Sequence, residues 1–361
     1  MHRLIFHIPG LVDDSESSVL RGTLPGLRRL VDQATVFRIA TPPEGILTPE
    51  AAWLGLSPES ILLAPGPLVT AALRAEPPDR AVHFCCSVLT YADDTVTPLA
   101  LKISPIEHAT LLASAARLNA KNLTFVPGPE FDHGLVWEEG SVDLATTEPT
   151  PAPLPFLSNL PRGDGEPRLR RFIDDSINIL TELDMNRRRA EEGLPLVNCL
   201  WPWGQGFRMP VPNLTLRYGE PIQVESANIR LEGLSRLTGL RHGDRHRFGT
   251  GTATKLTRLT EPRLPVQIAV IEAADQFRRA DMEALDWFIH ELDRELFSRL
   301  AKWPGDQPLR VTVLGGTLGF EYQNNHTQIN TVPFDERALD ERGLATYTLW
   351  EATQRAIAIT R

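Results

Sequence analysis

Three short runs decide most of what this chain can fold into. Leu4-Ile5-Phe6-His7-Ile8, residues 266–271 and residues 309–314 are near-continuous apolar or β-branched stretches without a clean polar alternation. A strand reads this way when both of its faces are buried, the condition of a parallel sheet covered by helices on each side. Helical stripes lie between and beside these runs. Leu24, Leu27, Leu30 and Val31 share one face, and Ile173, Ile177, Leu180 and Leu183 share another within residues 170–184. Met282, Leu285, Ile289, Leu292, Leu296 and Leu300 run through residues 281–303, and residues 345–359 predict a closing helix. The alternation predicts an α/β chain, and 361 residues suffice for one large core or two modest ones. The first strand runs into Pro9-Gly10, and the loops after such strands are where open α/β sheets place their chemistry.

The pattern changes in the first half. A strand over residues 81–89, a helix over 105–118 with Leu111, Leu112, Ala115 and Leu118 on one face, and strands over 123–126 and 135–137 predict a small α+β unit. Residues 146–161 hold Pro149, Pro151, Pro153, Pro155 and Pro161, a spacing that favours extended backbone and suits a linker. The predicted organisation is therefore a discontinuous main domain, residues 1–60 and 169–361, with an inserted domain at 61–168 ending in the proline-rich linker.

A formal charge of −9 sets the surface as a whole against nucleic acid and anionic membranes. The three cysteines, Cys85, Cys86 and Cys199, are too few for a disulfide framework and lack the paired spacing of a zinc site. Neither a signal peptide nor a membrane span is evident, because the longest apolar stretch, 61–73, is broken by Pro65 and Pro67. A cytoplasmic protein is the expectation.

The most distinctive segment is Asn186-Arg187-Arg188-Arg189 followed by Gly193-Leu194-Pro195-Leu196-Val197-Asn198-Cys199-Leu200-Trp201-Pro202-Trp203-Gly204-Gln205-Gly206. It resembles the N-x-x-R, G-L-P-x-x-N and R-G-x-G run of archaeal-type cofactor-independent phosphoglycerate mutases, members of the alkaline phosphatase superfamily. Weaker pieces follow in the same order: Ile8 to Asp13 for a strand and D-G-x-x-D, Gly66-Pro67-Leu68 for G-R-G-P-L-E-A, Glu232 to Leu240 for K-G-I-A-x-x-x-G-M, and residues 311–333 for the terminal V-T-x-D-H-S-T-P with its later histidine. The resemblance implies an alkaline-phosphatase-like three-layer α/β sandwich. It also implies a reaction resting on two divalent metals and a transiently phosphorylated serine.

The residues depart from that reaction. The family's first ligand aspartate falls on Pro9 and its D-H pair on Leu314-Gly315; in its D-x-x-G-H stretch only Asp275 offers a carboxylate, and Arg278 stands where imidazole is expected. The nucleophile region reads Thr48-Pro49-Glu50-Ala51, leaving the Thr48 hydroxyl as the candidate nucleophile, and His326 alone matches an imidazole ligand. Of the substrate apparatus, Asn186, Arg189 and Asn198 are retained, with Gln205 and Arg208 nearby, while Trp203 and Glu232 replace an arginine and a lysine. One or two donors do not hold a dinuclear metal centre. The expected function is a catalytically degenerate relative, without metal cofactor, that binds an anionic or aromatic small molecule or a protein partner in the old cleft. The alternative is an active mutase or phosphatase, using Mn or Zn, with a site rebuilt from Thr48, Asp13, Asp275 and His326; a purely structural subunit is a third reading.

Other signals have plainer readings. The basic run Arg241 to Arg247 before Gly249-Thr250-Gly251 misses the phosphate-loop spacing and reads as a solvated loop. Cys85 and Cys86 read as buried thiols, one of Trp201 and Trp203 as core, and Asp13-Asp14 and Asp174-Asp175 as helix-start or exposed-face residues.

Overall fold

The computed structural model describes residues 1–12, 24–40, 49–57, 63–76, 80–98, 103–129, 131–243, 252–272, 282–304, 306–324 and 345–358. The chain divides into two compact units, the first Met1–Leu62, Val211–Leu231 and Ser235–Arg361, the second Leu63–Pro210 with Glu232–Leu234. Along the chain the first unit contributes strands β1 (His2–Val12) and β2 (Thr35–Ala40). The second follows with β3 (Val82–Ala92), β4 (Thr95–Pro98), β5 (Leu123–Val126), β6 (Asp132–Trp137), β7 (Leu144–Ala145), β8 (Leu154–Pro155), β9 (Arg162–Gly163) and β10 (Cys199–Gly206). The first resumes with β11 (Ile222–Glu225), β12 (Arg241–His242), β13 (Val266–Val270), β14 (Leu309–Gly316), β15 (Leu318–Gln323) and β16 (Thr346–Thr348).

The first unit is an eight-stranded sheet in the order β12-β11-β13-β1-β14-β15-β2-β16. Its first five strands are parallel neighbours, with Ile5 standing beside both Ile268 and Thr312. The three continuous runs of the sequence are the three central strands. Both faces are covered: Leu4, Phe6 and Ile8 join Leu27 and Leu30 of helix Pro25–Val31 and Phe288 and Leu292 of helix Met282–Leu292 in one core, while the opposite-facing Ile5 is also buried. Helix Pro25–Val31 has no cap of its own. The buried Asp293 supplies one, accepting from the amides of Gly26 at 3.0 Å and Leu27 at 2.7 Å.

The second unit is built on β3, which pairs antiparallel with β6, β4 and β10. Helix Glu166–Thr181 presents Leu169, Phe172, Ile173, Ser176 and Leu180 as a buried stripe, with Glu166–Arg170 and Arg171–Asp175 pairs on its outer side. The Ser176 hydroxyl donates to the Ile173 carbonyl at 2.7 Å and accepts from the Leu200 amide at 3.0 Å, tying the helix to β10.

Two boundaries differ from the sequence reading. Residues 169–210 belong to the second unit rather than to the main domain, because β10 lies in register against β3 from Cys199–Leu89 to Trp203–Cys85. The proline-rich stretch is not an inter-domain linker. Leu154 and Pro155 pair with Val96 and Thr95, Phe156 packs 6.1 Å from the Trp201 ring, and the Trp201 indole donates to the Thr147 carbonyl at 2.8 Å, so the segment is a strap on its own sheet. Alternating prolines dictate an extended chain but say nothing of what it lies against. The closing element also divides, into β16 and helix Leu349–Ile357, with Thr348 and Glu351 forming a capping box at the junction.

Candidate functional site

In the first unit β11, β13, β1 and β14 are parallel neighbours, so their carboxyl ends face one edge of the sheet, where such folds bind their ligands. Beyond β11, Asn228 caps helix Ile229–Leu237 by accepting from the amides of Arg230 at 2.9 Å and Leu231 at 3.1 Å. Its side-chain amide lies 3.3 Å from both the Glu50 and the Glu272 carboxylates. Glu50 stands in the first turn of helix Pro49–Trp53 and is fully buried; its Oε1 lies 2.8 Å from Arg230 Nε, and its Oε2 has no partner among the described residues. With Nε fixed on Glu50, the guanidinium of Arg230 is oriented, and its side chain keeps 28% exposure. A carboxylate out of water requires such a cation beside it.

Of the metal positions implied by the resemblance, Pro9 and Leu314-Gly315 are described, and they do not fit the metals. Pro9, half-buried in β1, has no side-chain donor, and β14 presents the buried Leu314 followed by Gly315, with Leu314 beside His7. Among the described residues no group of three or more His, Cys, Asp or Glu could hold a metal ion. Asp13, Thr48, Asp275 and His326 lie outside the described residues. His7, in β1 before this edge, is buried; burial pushes its pKa down to about 3, so it is a neutral packing group against Trp53.

In the second unit the retained motif residues are held by backbone. The Asn186 amide donates to the carbonyls of Leu180 at 2.7 Å and Val197 at 3.0 Å and accepts from the Val197 amide at 2.8 Å. Asn198 accepts from the Tyr91 amide at 2.8 Å and donates to the Tyr91 carbonyl and the Thr181 hydroxyl, both at 3.2 Å. Arg189 donates through Nε to the Pro195 carbonyl and pairs with Glu107 at 3.1 Å. These three side chains form a latch around the turn between helix Asp184–Glu191 and β10. The residues named beside them do not converge on it. Gln205 donates to the Leu144 carbonyl and accepts from Thr146, Trp203 donates to the Ser87 hydroxyl at 2.8 Å, and the exposed Arg208 donates to the Ala75 carbonyl at 3.1 Å. Glu232 is buried within helix Ile229–Leu237.

The motif glycines are explained by close approach. A Cβ on Gly66 would strike the His83 carbonyl, and one on Gly233 the Leu68 carbonyl oxygen, so both positions seat helix Pro65–Ala72 against its neighbours. The Glu50–Arg230–Asn228–Glu272 group was not visible in the sequence. Its only signal was Asn228 as a capping residue before a helical run.

The chain is similar to phosphoglycerate mutases. The 2,3-bisphosphoglycerate-independent phosphoglycerate mutase of Methanothrix thermoacetophila is 27% identical over 206 residues, 56% of this chain and 52% of that protein. A probable enzyme of the same description from Geobacter sulfurreducens is 26% identical over 193 residues, 52% of this chain and 48% of that protein. These matches span about half the length of those two relatives. A longer one, to phosphoglycerate mutase 2 of Methanothermobacter thermautotrophicus, is 23% identical over 312 residues, 80% of this chain and 76% of that protein. No family profile matches the chain. Among solved structures, the cofactor-independent phosphoglycerate mutase of Thermoplasma acidophilum superposes with a TM-score of 0.54 at 17% identity, covering 98% of both chains. A Pyrococcus horikoshii protein superposes with a TM-score of 0.61 at 14% identity, covering 89% of this chain and 87% of that one. The fold is the alkaline-phosphatase-like α/β fold of these neighbours. No helix among the described residues is long and apolar enough to cross a membrane.

Proposed function

We propose that this chain is a phosphoglycerate-mutase-like protein that does not carry out metal-dependent phosphoryl transfer and instead binds a small ligand at the carboxyl edge of its first unit. The observation that supports this is the Glu50–Arg230 pair: the cation beside the buried carboxylate is a guanidinium supplied by the protein, on an edge where Pro9, Leu314 and Gly315 offer no metal donors. The oriented guanidinium makes a carboxylate or phosphate group the fitting ligand, since its remaining amino groups are donors in a fixed fork. A regulatory or carrier role follows from binding without turnover.

The test is a calorimetric titration of the chelator-treated protein with Mn²⁺ and with Zn²⁺, beside a coupled phosphoglycerate mutase assay. The reading expects no stoichiometric metal binding and no turnover. Two metals bound per chain, or conversion of 3-phosphoglycerate that depends on added Mn²⁺, would overturn it in favour of an active enzyme with a rebuilt site.

A further inference from the structure

An oriented guanidinium fits either a carboxylate or a phosphate head group, and the surroundings of Arg230 separate the two. Its Nε lies 2.8 Å from Oε1 of Glu50, whose side chain has no exposure to solvent. The donors left for a ligand are the two terminal amino groups, on a side chain that keeps 28% exposure, and they form an end-on fork. Carboxylate and phosphate oxygens both match such a fork through two parallel bonds, so shape does not decide between them. Charge does. The Glu50 carboxylate is out of water, so its field at the fork is weakly screened, and it already balances the positive charge of Arg230.

A phosphate dianion requires donors beyond one such arginine, and the backbone N–H groups at the start of a helix commonly supply them. Helix Ile229–Leu237 starts at this place with those groups engaged. Asn228 Oδ1 accepts from the amides of Arg230 and Leu231, which leaves only the Ile229 N–H of the first three, and the Asn228 amide itself donates to the Ser226 hydroxyl at 3.0 Å. The side-chain amide of Asn228 is held between Glu50 and Glu272, at 3.3 Å from each. Metal ions are the other common partners of phosphate oxygens, and Pro9, Leu314 and Gly315 carry no side-chain donor for them.

We propose, on the reading of this edge as an anion site, that it selects carboxylates over phosphates and takes a small molecule bearing a carboxylate monoanion. Glu50 is the specificity-determining residue. Being buried, it acts through Arg230 by offsetting its charge and does not touch the ligand.

The probes are glycerate and glycerol 3-phosphate, which share a hydroxylated three-carbon body and differ in the anionic head. At about pH 7.5 the first is a monoanion and the second, with a second ionisation at about 6, is a dianion. Each is titrated by calorimetry into the unmodified protein in metal-free buffer, and the amide chemical shifts of Arg230 and Leu231 locate the site. Glycerate is expected to bind about tenfold more tightly, the effect of one further negative charge near Glu50 at a partly exposed site. Glu50→Gln removes the charge but keeps an oxygen to accept from Arg230 Nε, so the two affinities should become about equal as glycerol 3-phosphate gains. Glycerol 3-phosphate binding as tightly as glycerate, or an unchanged ratio in the folded variant, would overturn the selectivity while leaving the edge an anion site. If neither probe binds and shifts these amides, the anion site itself is refuted and the selectivity with it. The first comparison uses the unmodified protein, so it decides the matter even if the variant fails to fold.

Discussion

The side chain of Asn186 forms a two-bond ring with the backbone of Val197, accepting from its amide at 2.8 Å and donating to its carbonyl at 3.0 Å. The geometry is that of a strand pair, with one asparagine standing in for the partner strand. A third bond, to the Leu180 carbonyl, leaves the amide with little capacity for a ligand. The asparagine most suggestive of substrate recognition in the sequence is thus a structural element of the turn into β10. Asn186→Ala should destabilise the protein by about 2–3 kcal/mol, since it orphans a buried amide and two carbonyls at once. Urea denaturation followed by far-ultraviolet circular dichroism measures this, and a loss under about 0.5 kcal/mol, the lower end for a single hydrogen bond, would show that the latch is not needed.

Arg230→Met removes the cation from Glu50 and leaves a fully buried carboxylate without its ion pair. The expected cost is about 3 kcal/mol, the lower end of the range for breaking a buried pair because Arg230 is 28% exposed. Adding Glu50→Gln should restore most of that stability, as the neutral amide no longer needs the guanidinium. A double-mutant cycle reads the coupling directly, and additive effects would show that the two residues do not act as a pair.

Three buried histidines set an acid limit on stability. Burial pushes His7 to about 3, His83 to about 4 with Arg208 adding repulsion, and His133 to about 3 with His108 adding to it. In each the unfolded chain binds the proton more readily than the folded one. Stability from this source is therefore full above the unfolded histidine value of about 6.5 and falls as pH drops from there towards the folded values. Thermal melts between pH 7 and about pH 4.5 should show a steady fall in Tm. His7→Leu should flatten the part of that fall belonging to the first unit, and an unchanged slope would show that His7 does not contribute to it.

Gly233→Ala adds a single methyl group where helix Ile229–Leu237 meets the Leu68 carbonyl. Backbone does not yield as a flexible side chain does, so the change should cost about 1–3 kcal/mol. Gly219→Ala serves as the contrast: open space surrounds that position, and its cost comes only from a φ of 70°. Equal melting temperatures for the Gly233 variant and the wild type would refute the close approach.

Much of the architecture was legible because it depends on composition along short segments. The runs at 4–8, 266–271 and 309–314 had to be central strands, since residues apolar on both sides of a strand need cover on both faces. That Pro9, Leu314 and Gly315 carry no side-chain metal donor was legible for a similar reason: a residue without a donor lacks one in any conformation. What the sequence left open were relations between distant segments. That β10 joins β3, carrying residues 169–210 into the second unit, depends on a pairing across more than 100 residues that no local pattern encodes. That Asn186, Asn198 and Arg189 bond to backbone depends on where the turn after helix Asp184–Glu191 closes, because an amide or guanidinium serves many partners equally well. The pairing of Glu50 with Arg230, 180 positions apart, was settled only by tertiary structure, which removes the carboxylate from water and makes the choice of neighbouring cation decisive.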